Sequence, residues 1–259
     1  MADIVLIIGT KPKRGFYSVW VEVAVTFTHA PLRPVSIAHE SSALQLLLRR
    51  DTSTNFVLKE VFEKKVYQPI PDAPAPRAIL DVGANQGITA GYFRLLFPQA
   101  KIVAVEPDPA TFPIIEENAK RMGNCTAHNV ALLDRNGTAP FKSSSISVIS
   151  TLYALPHAGI QNDLVDVELL HAGQFADDVA ARIGVPGFDM LKVDTEGAEV
   201  PILQAMGHRL ASITTIFLEF HSLEDRRVIE AMLAPSHDLR SEGWDAPDRG
   251  SLTYLRRSI

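Results

Sequence analysis

A chain of 259 residues, 46% hydrophobic and 21% charged, is ordinary globular material with enough apolar residues for a sizeable core, which excludes wholesale disorder and fibrous repeats. A formal net charge of -5 and a pI near 5.9 supply no general pull toward nucleic acid or an anionic membrane, so a small-molecule partner is expected. The single cysteine, Cys125, excludes an internal disulfide, and no apolar run approaches the ~20 residues of a transmembrane helix.

The start Met1-Ala2-Asp3-Ile4-Val5 lacks the charged and apolar regions of a signal peptide, and the expected location is cytoplasmic. Residues 3–9 and 17–27 read as strands around a Lys11-Pro12-Lys13-Arg14-Gly15 turn, and 29–34, with two prolines, as a loop. Residues 42–50 and 54–65 read as helices separated at Asp51-Thr52-Ser53. In the second, Phe56, Val57, Val61 and Phe62 recur at helical spacing, which predicts an amphipathic helix packed by that face. With Tyr67, this segment reads as a cover of the core or as one wall of a pocket. Four prolines between 69 and 76 mark a stiff connector. Residues 1–75 are therefore an N-terminal extension and 76–259 the main domain.

From residue 78 strands and helices alternate. Strand 79–82 leads to a helix over 86–97, stopped by Pro98, and strand 101–105 to a helix over 109–122, stopped by Gly123-Asn124. Strand 126–132 meets a hairpin turn at Asp134-Arg135-Asn136-Gly137, so 138–142 should return beside it. Residues 143–166 read as a long polar loop over the active face. A helix over 172–183, strand 188–193, a helix to about Met206, strand 214–220, a helix over 223–233 and strands near 237–241 and 252–256 complete the chain. This alternation predicts an α/β fold, Rossmann-like, with a mostly parallel sheet and helices on both faces.

The first strand ends in Asp81-Val82-Gly83-Ala84-Asn85-Gln86-Gly87. Gly83 lets the backbone turn sharply beside a ligand, and Gly87 frees the start of the helix. Dinucleotide binding usually requires G-x-G-x-x-G, and the middle glycine that admits a pyrophosphate is missing here. The turn suits S-adenosylmethionine, which has no phosphate: Asp81 can face its ammonium and the turn's N–H groups its carboxylate. Glu106 ends the next strand near the ~20-residue interval at which such folds place a ribose-binding acid.

The Asp81 to Gly87 turn, Val105-Glu106-Pro107 and Leu191-Lys192-Val193-Asp194-Thr195-Glu196-Gly197-Ala198-Glu199 together resemble the FkbM-type S-adenosylmethionine-dependent methyltransferases. The likeness runs from about residue 50 to 235 and includes Asn129-Val130-Ala131-Leu132 and Glu219-Phe220-His221. It implies a seven-stranded class I methyltransferase sheet with an antiparallel last strand. It also implies methylation of a hydroxyl on a sugar, polyketide or other secondary metabolite, with S-adenosylhomocysteine as co-product. The implied cofactor residues are Asp81, Gly83, Ala84, Asn85, Gly87, Glu106, Pro107, Asn129 and Ala131.

The resemblance places the acceptor near Asp194, Glu196 and Glu199. Asp194 is the first choice for a base or orienting group and Glu196 the second, while Glu199 reads as solvent-facing. His221 is the other candidate base, since an ordinary imidazole titrates near neutrality. Lys192 can pair with one of these acids. Asp194, Glu196, Glu219 and His221 also suggest a divalent metal, although their spacing is no recognised metal motif and none is assigned. Two further readings stay open here: a cofactor-binding scaffold without turnover, and a nicotinamide-dependent oxidoreductase. Neither a nucleic-acid nor a membrane partner is expected, and a homodimer is compatible with the sequence.

Overall fold

The computed structural model describes residues 4–8, 21–25, 32–39, 42–71, 73–144 and 162–257. Strands β1 (Ile4–Ile8), β2 (Val21–Val25), β3 (Leu32–His39) and β4 (Ser42–Arg49) form one antiparallel sheet in sequence order. Two expectations are corrected here. Residues 42–50 are not a helix but chiefly β4, because Leu46 and Leu48 alternate onto a buried face that a short apolar run alone cannot assign. Residues 32–34 belong to β3 and not to a loop. Pro34 is tolerated because its partner Leu47 turns its own N–H and C=O away to the Asn118 side chain, at 2.7 and 2.8 Å, so no bond to β4 is lost. The expected turn at 11–15 lies outside the described residues.

Asp51 caps helix α1 (Thr52–Leu58) by accepting from the Thr54 N–H at 2.7 Å. The helix then widens into a π-helical turn, Lys59–Lys64, which Lys65 ends in the left-handed region at φ 57°. The wider turn shifts the apolar face. Val61 and Phe62 are buried as expected, whereas Phe56 is 51% exposed.

The seven-stranded sheet contains β5 (Ala78–Val82), β6 (Lys101–Val105), β7 (Cys125–His128), β11 (Met190–Val193), β12 (Thr215–Phe220), β13 (His237–Ala246) and β14 (Arg249–Arg256). Its order is β13-β14-β12-β11-β5-β6-β7, parallel except that β14 runs antiparallel to both neighbours. All five side chains of β5 are buried, as a central strand covered on both faces requires. Helices α2 (Ile88–Leu96) and α3 (Phe112–Met122) cover one face, and α4 (Ala172–Ile183), α5 (Glu199–Met206) and α6 (Leu223–Leu233) the other.

The N-terminal sheet explains why α2 is apolar nearly all round. Val35, Ile37, Leu46 and Leu48 close over α2 and join Ile79, Ala90, Phe93 and Phe217 in one core. Gln86 fastens this layer, accepting from the Arg49 N–H and donating to Thr54 Oγ1.

The expected strand at 126–132 is two strands. Asn129 donates to the carbonyls of Glu106 and Pro107 at 2.9 and 3.0 Å and draws the chain off the sheet. The chain then enters β8 (Ala131–Leu133), in a separate sheet ordered β8-β10-β9. Hence β9 (Gly137–Ser144) does not return beside β8, because β10 (Asn162–His171) lies between them. The expected loop at 143–166 shrinks at both ends to these strands, and residues 145–161 lie outside the described ones. Among the described residues no helix is long and apolar enough to cross a membrane.

Candidate active site

The carboxyl ends of β5, β6, β11 and β12 open onto a cavity of about 290 Å³. This is where the strand order of an open parallel sheet forces a ligand crevice. Gly83, Ala84, Asn85, Glu106, Pro107 and Ala131 line one end, and Asp194, Glu196 and His221 the other.

Three expected cofactor contacts stand elsewhere. Asp81 is fully buried off the cavity, 3.3 Å from Lys192 Nζ, its partner in cross-strand register. Gly87 is left-handed at φ 85°, and a Cβ there would lie 2.2 Å from Ile115, so it serves the packing of α2 on α3. Asn129 is an exposed strut for the Glu106 loop. Gly83 turns sharply and lines the cavity, and it is also hemmed in by main chain. At φ 77° its added Cβ would sit 1.7 Å from the Asp194 carbonyl oxygen, so the close neighbour is strand β11 itself.

The turn's N–H groups are engaged within the protein. Those of Gly83 and Ala84 donate to the Val105 carbonyl, that of Gly87 to Ala84, and that of Asn85 to Glu106 Oε2 at 2.8 Å. Glu106 Oε1 accepts from the Asp108 N–H at 2.9 Å, so this carboxylate ties two loops together while facing the cavity. Burial raises its pKa to about 7.

Between the two ends Lys192 Nζ donates to the Gly83 carbonyl at 2.7 Å and lies 3.5 Å from Asp194 Oδ2. Burial opposes this charge, but Asp81, Asp194 and Glu219 outweigh it and keep the ammonium's pKa above the usual lysine value. The Tyr67 hydroxyl reaches in from the N-terminal extension, 3.3 Å from Asp194 Oδ2 and 3.1 Å from Glu219 Oε1. Burial first, and then repulsion from Asp194, push the Glu219 pKa well above its ordinary value.

His221 Nε2 lies 3.3 Å from Glu196 Oε2, and its Nδ1 lies 3.5 Å from Glu199 Oε1. Burial works against the imidazolium, and these two carboxylates overcome it, raising the pKa to about 11. An imidazole already protonated at neutral pH has no lone pair for the base role that its ordinary pKa suggested. Glu199 is likewise not solvent-facing. It is 1% exposed and accepts from the Thr195 and Gly197 N–H groups at 2.8 and 3.2 Å, bracing the turn in which Glu196 takes a left-handed φ of 56°. One ligand atom from each of Asp194, Glu219 and His221 falls within 4.8 Å of the others, a spacing that a cation can use.

Sequence reasoning missed Glu60, Asp245 and Arg249 as lining residues. Glu60 stands among surface charges of an amphipathic segment and enters the cavity through the π-helical turn. Burial raises its pKa to about 7. Asp245 and Arg249 come from the β13–β14 hairpin and carry no local signal.

A doubly covered sheet with an antiparallel β14 and a crevice at these strand ends defines the Rossmann-like methyltransferase fold. The chain belongs to the family of the methyltransferase FkbM domain, whose model matches residues 81–240. It is 28% identical over 232 residues to methyltransferase sdnD of Sordaria araneosa, covering 78% of this chain and 89% of that one. It is 26% identical over 162 residues to the 2-O-methyltransferase NoeI of Sinorhizobium fredii, covering 59% of this chain and 66% of that one. Among solved structures, Aeropyrum pernix fibrillarin with bound S-adenosyl-L-methionine aligns with a TM-score of 0.45 and 13% identity, over 91% of this chain and all of that one.

Proposed function

We propose that this chain is an S-adenosylmethionine-dependent O-methyltransferase acting on a hydroxyl group of a small molecule, such as a sugar, polyketide or other secondary metabolite. The observation that carries this reading is that Glu106 and Asp194 face one cavity from the ends of neighbouring halves of the sheet. The lining fits the cofactor's chemistry. Glu106 offers lone pairs to a ribose diol, Pro107, Val130, Ala131, Leu132 and Phe141 offer apolar walls to a base, and the acids offer a favourable field to a sulfonium. When bound, S-adenosylmethionine supplies a methyl group on a sulfonium that leaves as the neutral thioether.

The chain's own residues do the rest. Asp194 orients the acceptor hydroxyl and takes its proton as the oxygen gains the methyl group; the alcohol's pKa is far too high for removal beforehand. Tyr67, within hydrogen-bond distance of both Asp194 and Glu219, fixes the Asp194 carboxylate, and holding the two reactants in line supplies much of the acceleration. The 2-O-methyltransferase of Sinorhizobium fredii and a hexuronic acid methyltransferase of Haloferax volcanii, 27% identical over 169 residues, support an oxygen acceptor.

Calorimetry tests the cofactor half. Wild-type protein should bind S-adenosylhomocysteine, and absence of binding at millimolar ligand sinks the proposal. The affinity should also depend on pH. Ribose hydroxyls donate to the ionised Glu106, whose pKa is raised to about 7, so acid protonates it and competes with binding. From pH 8 to pH 6 the affinity should fall about tenfold, and Glu106→Gln should bind more weakly and remove most of that slope. A flat wild-type profile contradicts the ribose role.

A further inference from the structure

Lys192 is the residue that the functional reading leaves without a task. Its side chain is 2% exposed and extends from β11 in the centre of the sheet, where burying an ammonium is costly. Stability alone gives no reason for it, since replacing a buried ion pair by apolar residues is often neutral or stabilising. Its contacts run in two directions. One is the Gly83 carbonyl at 2.7 Å, in the turn at the cofactor end, and the other is Asp194 Oδ2 at 3.5 Å, at the acceptor end. Asp81, at 3.3 Å on β5, holds the ammonium from behind, which keeps Nζ at the junction of the two strand ends.

We propose that Lys192 is a positioning residue that couples the Gly83 turn at the cofactor end of the cavity to Asp194 at the acceptor end. The inference rests on the methyltransferase reading. Through one hydrogen-bonded cation, backed by Asp81, a displacement of the turn reaches Asp194. The same cation sets the field at Asp194. The other groups facing that carboxylate are Tyr67 and Glu60 from the extension, Asp81 from β5, Glu196 from its own turn, and Glu219 and His221 from β12. All of these except His221 are acids or a phenol, and the His221 charge is engaged by Glu196 and Glu199. Among the described residues Lys192 is thus the lysine paired with Asp194.

Lys192→Met alone leaves the Asp81 carboxylate buried without its cation, so the test compares Asp81→Asn with the double variant Asp81→Asn/Lys192→Met. The single variant keeps the ammonium, and the difference between the two belongs to Lys192. Two readouts use the full chain: S-adenosylhomocysteine affinity by calorimetry, and the shift of the Asp194 carboxyl carbon-13 signal on binding that ligand, assigned by its loss in Asp194→Asn. The double variant should bind about tenfold more weakly than Asp81→Asn, as expected for losing a charged donor. The ligand-induced shift of its Asp194 signal should be smaller by about twofold or more. A double variant that matches Asp81→Asn in either readout overturns the coupling, since a purely structural lysine need not carry the effect of the ligand to Asp194. Wild-type protein that binds no S-adenosylhomocysteine removes the methyltransferase reading itself, whatever the Asp194 signal does.

Discussion

Asp194→Asn should lower turnover by about a hundredfold or more while S-adenosylhomocysteine affinity stays within about threefold of wild type. The asparagine keeps the size of the side chain and loses the proton acceptor. In the wild type Asp194 lies 3.5 Å from the Lys192 ammonium and accepts from Tyr67 at 3.3 Å, so one of its faces is held and the other opens on the cavity. Neighbouring acids do not substitute well. Glu219 is half-buried and shares the Tyr67 hydroxyl with Asp194, and Glu196 is engaged by His221 at 3.3 Å. Glu196→Gln should therefore cost less than Asp194→Asn. Steady-state kinetics on the same acceptor decide this, and an Asp194→Asn enzyme with wild-type turnover removes Asp194 from the chemistry.

Gly83→Ala should destabilise the fold by roughly 3 kcal/mol, read from urea unfolding. The backbone there is left-handed at φ 77°, and the added Cβ would sit 1.7 Å from the Asp194 carbonyl oxygen, which is main chain and cannot swing aside. Relief requires β5 and β11 to part at their carboxyl ends, which also strains the Lys192 bond to the Gly83 carbonyl. Gly184→Ala is the control. It shares a left-handed φ of 69°, at the end of α4, but meets nothing within 4 Å, so it should cost only about 1 kcal/mol. Equal losses in the two variants would show that backbone conformation alone, and not the approach of β11, governs Gly83.

The contrast between these glycines indicates what the sequence made legible. From Ala78 onward the strand and helix alternation was readable because the buried strands are mostly apolar runs, broken by single charges such as Asp81 and Lys192, and helices carry stop signals, as at Pro98 and Gly123. The acids at 106 and 194 were readable because strand ends in this fold converge on one crevice. What escaped was decided by packing between distant segments. Asp81 looked like a ligand contact until Lys192, its cross-strand partner on β11, occupied it. His221 looked like a base, but its two carboxylate neighbours come from the turn after β11 and from α5. Residues 42–50 carried too short an apolar run to separate strand from helix, and the register with β3 made the choice. Glu60 was hidden by a π-helical turn that no residue spacing announces.

The central claim is that one cavity holds S-adenosylmethionine at Glu106 and the acceptor at Asp194. A crystal structure with S-adenosylhomocysteine tests it most directly. Ribose hydroxyls should lie within hydrogen-bond distance of the Glu106 carboxylate, with the thioether sulfur facing the Asp194 side of the cavity. A ligand bound away from Glu106, or with its sulfur turned from Asp194, would contradict it.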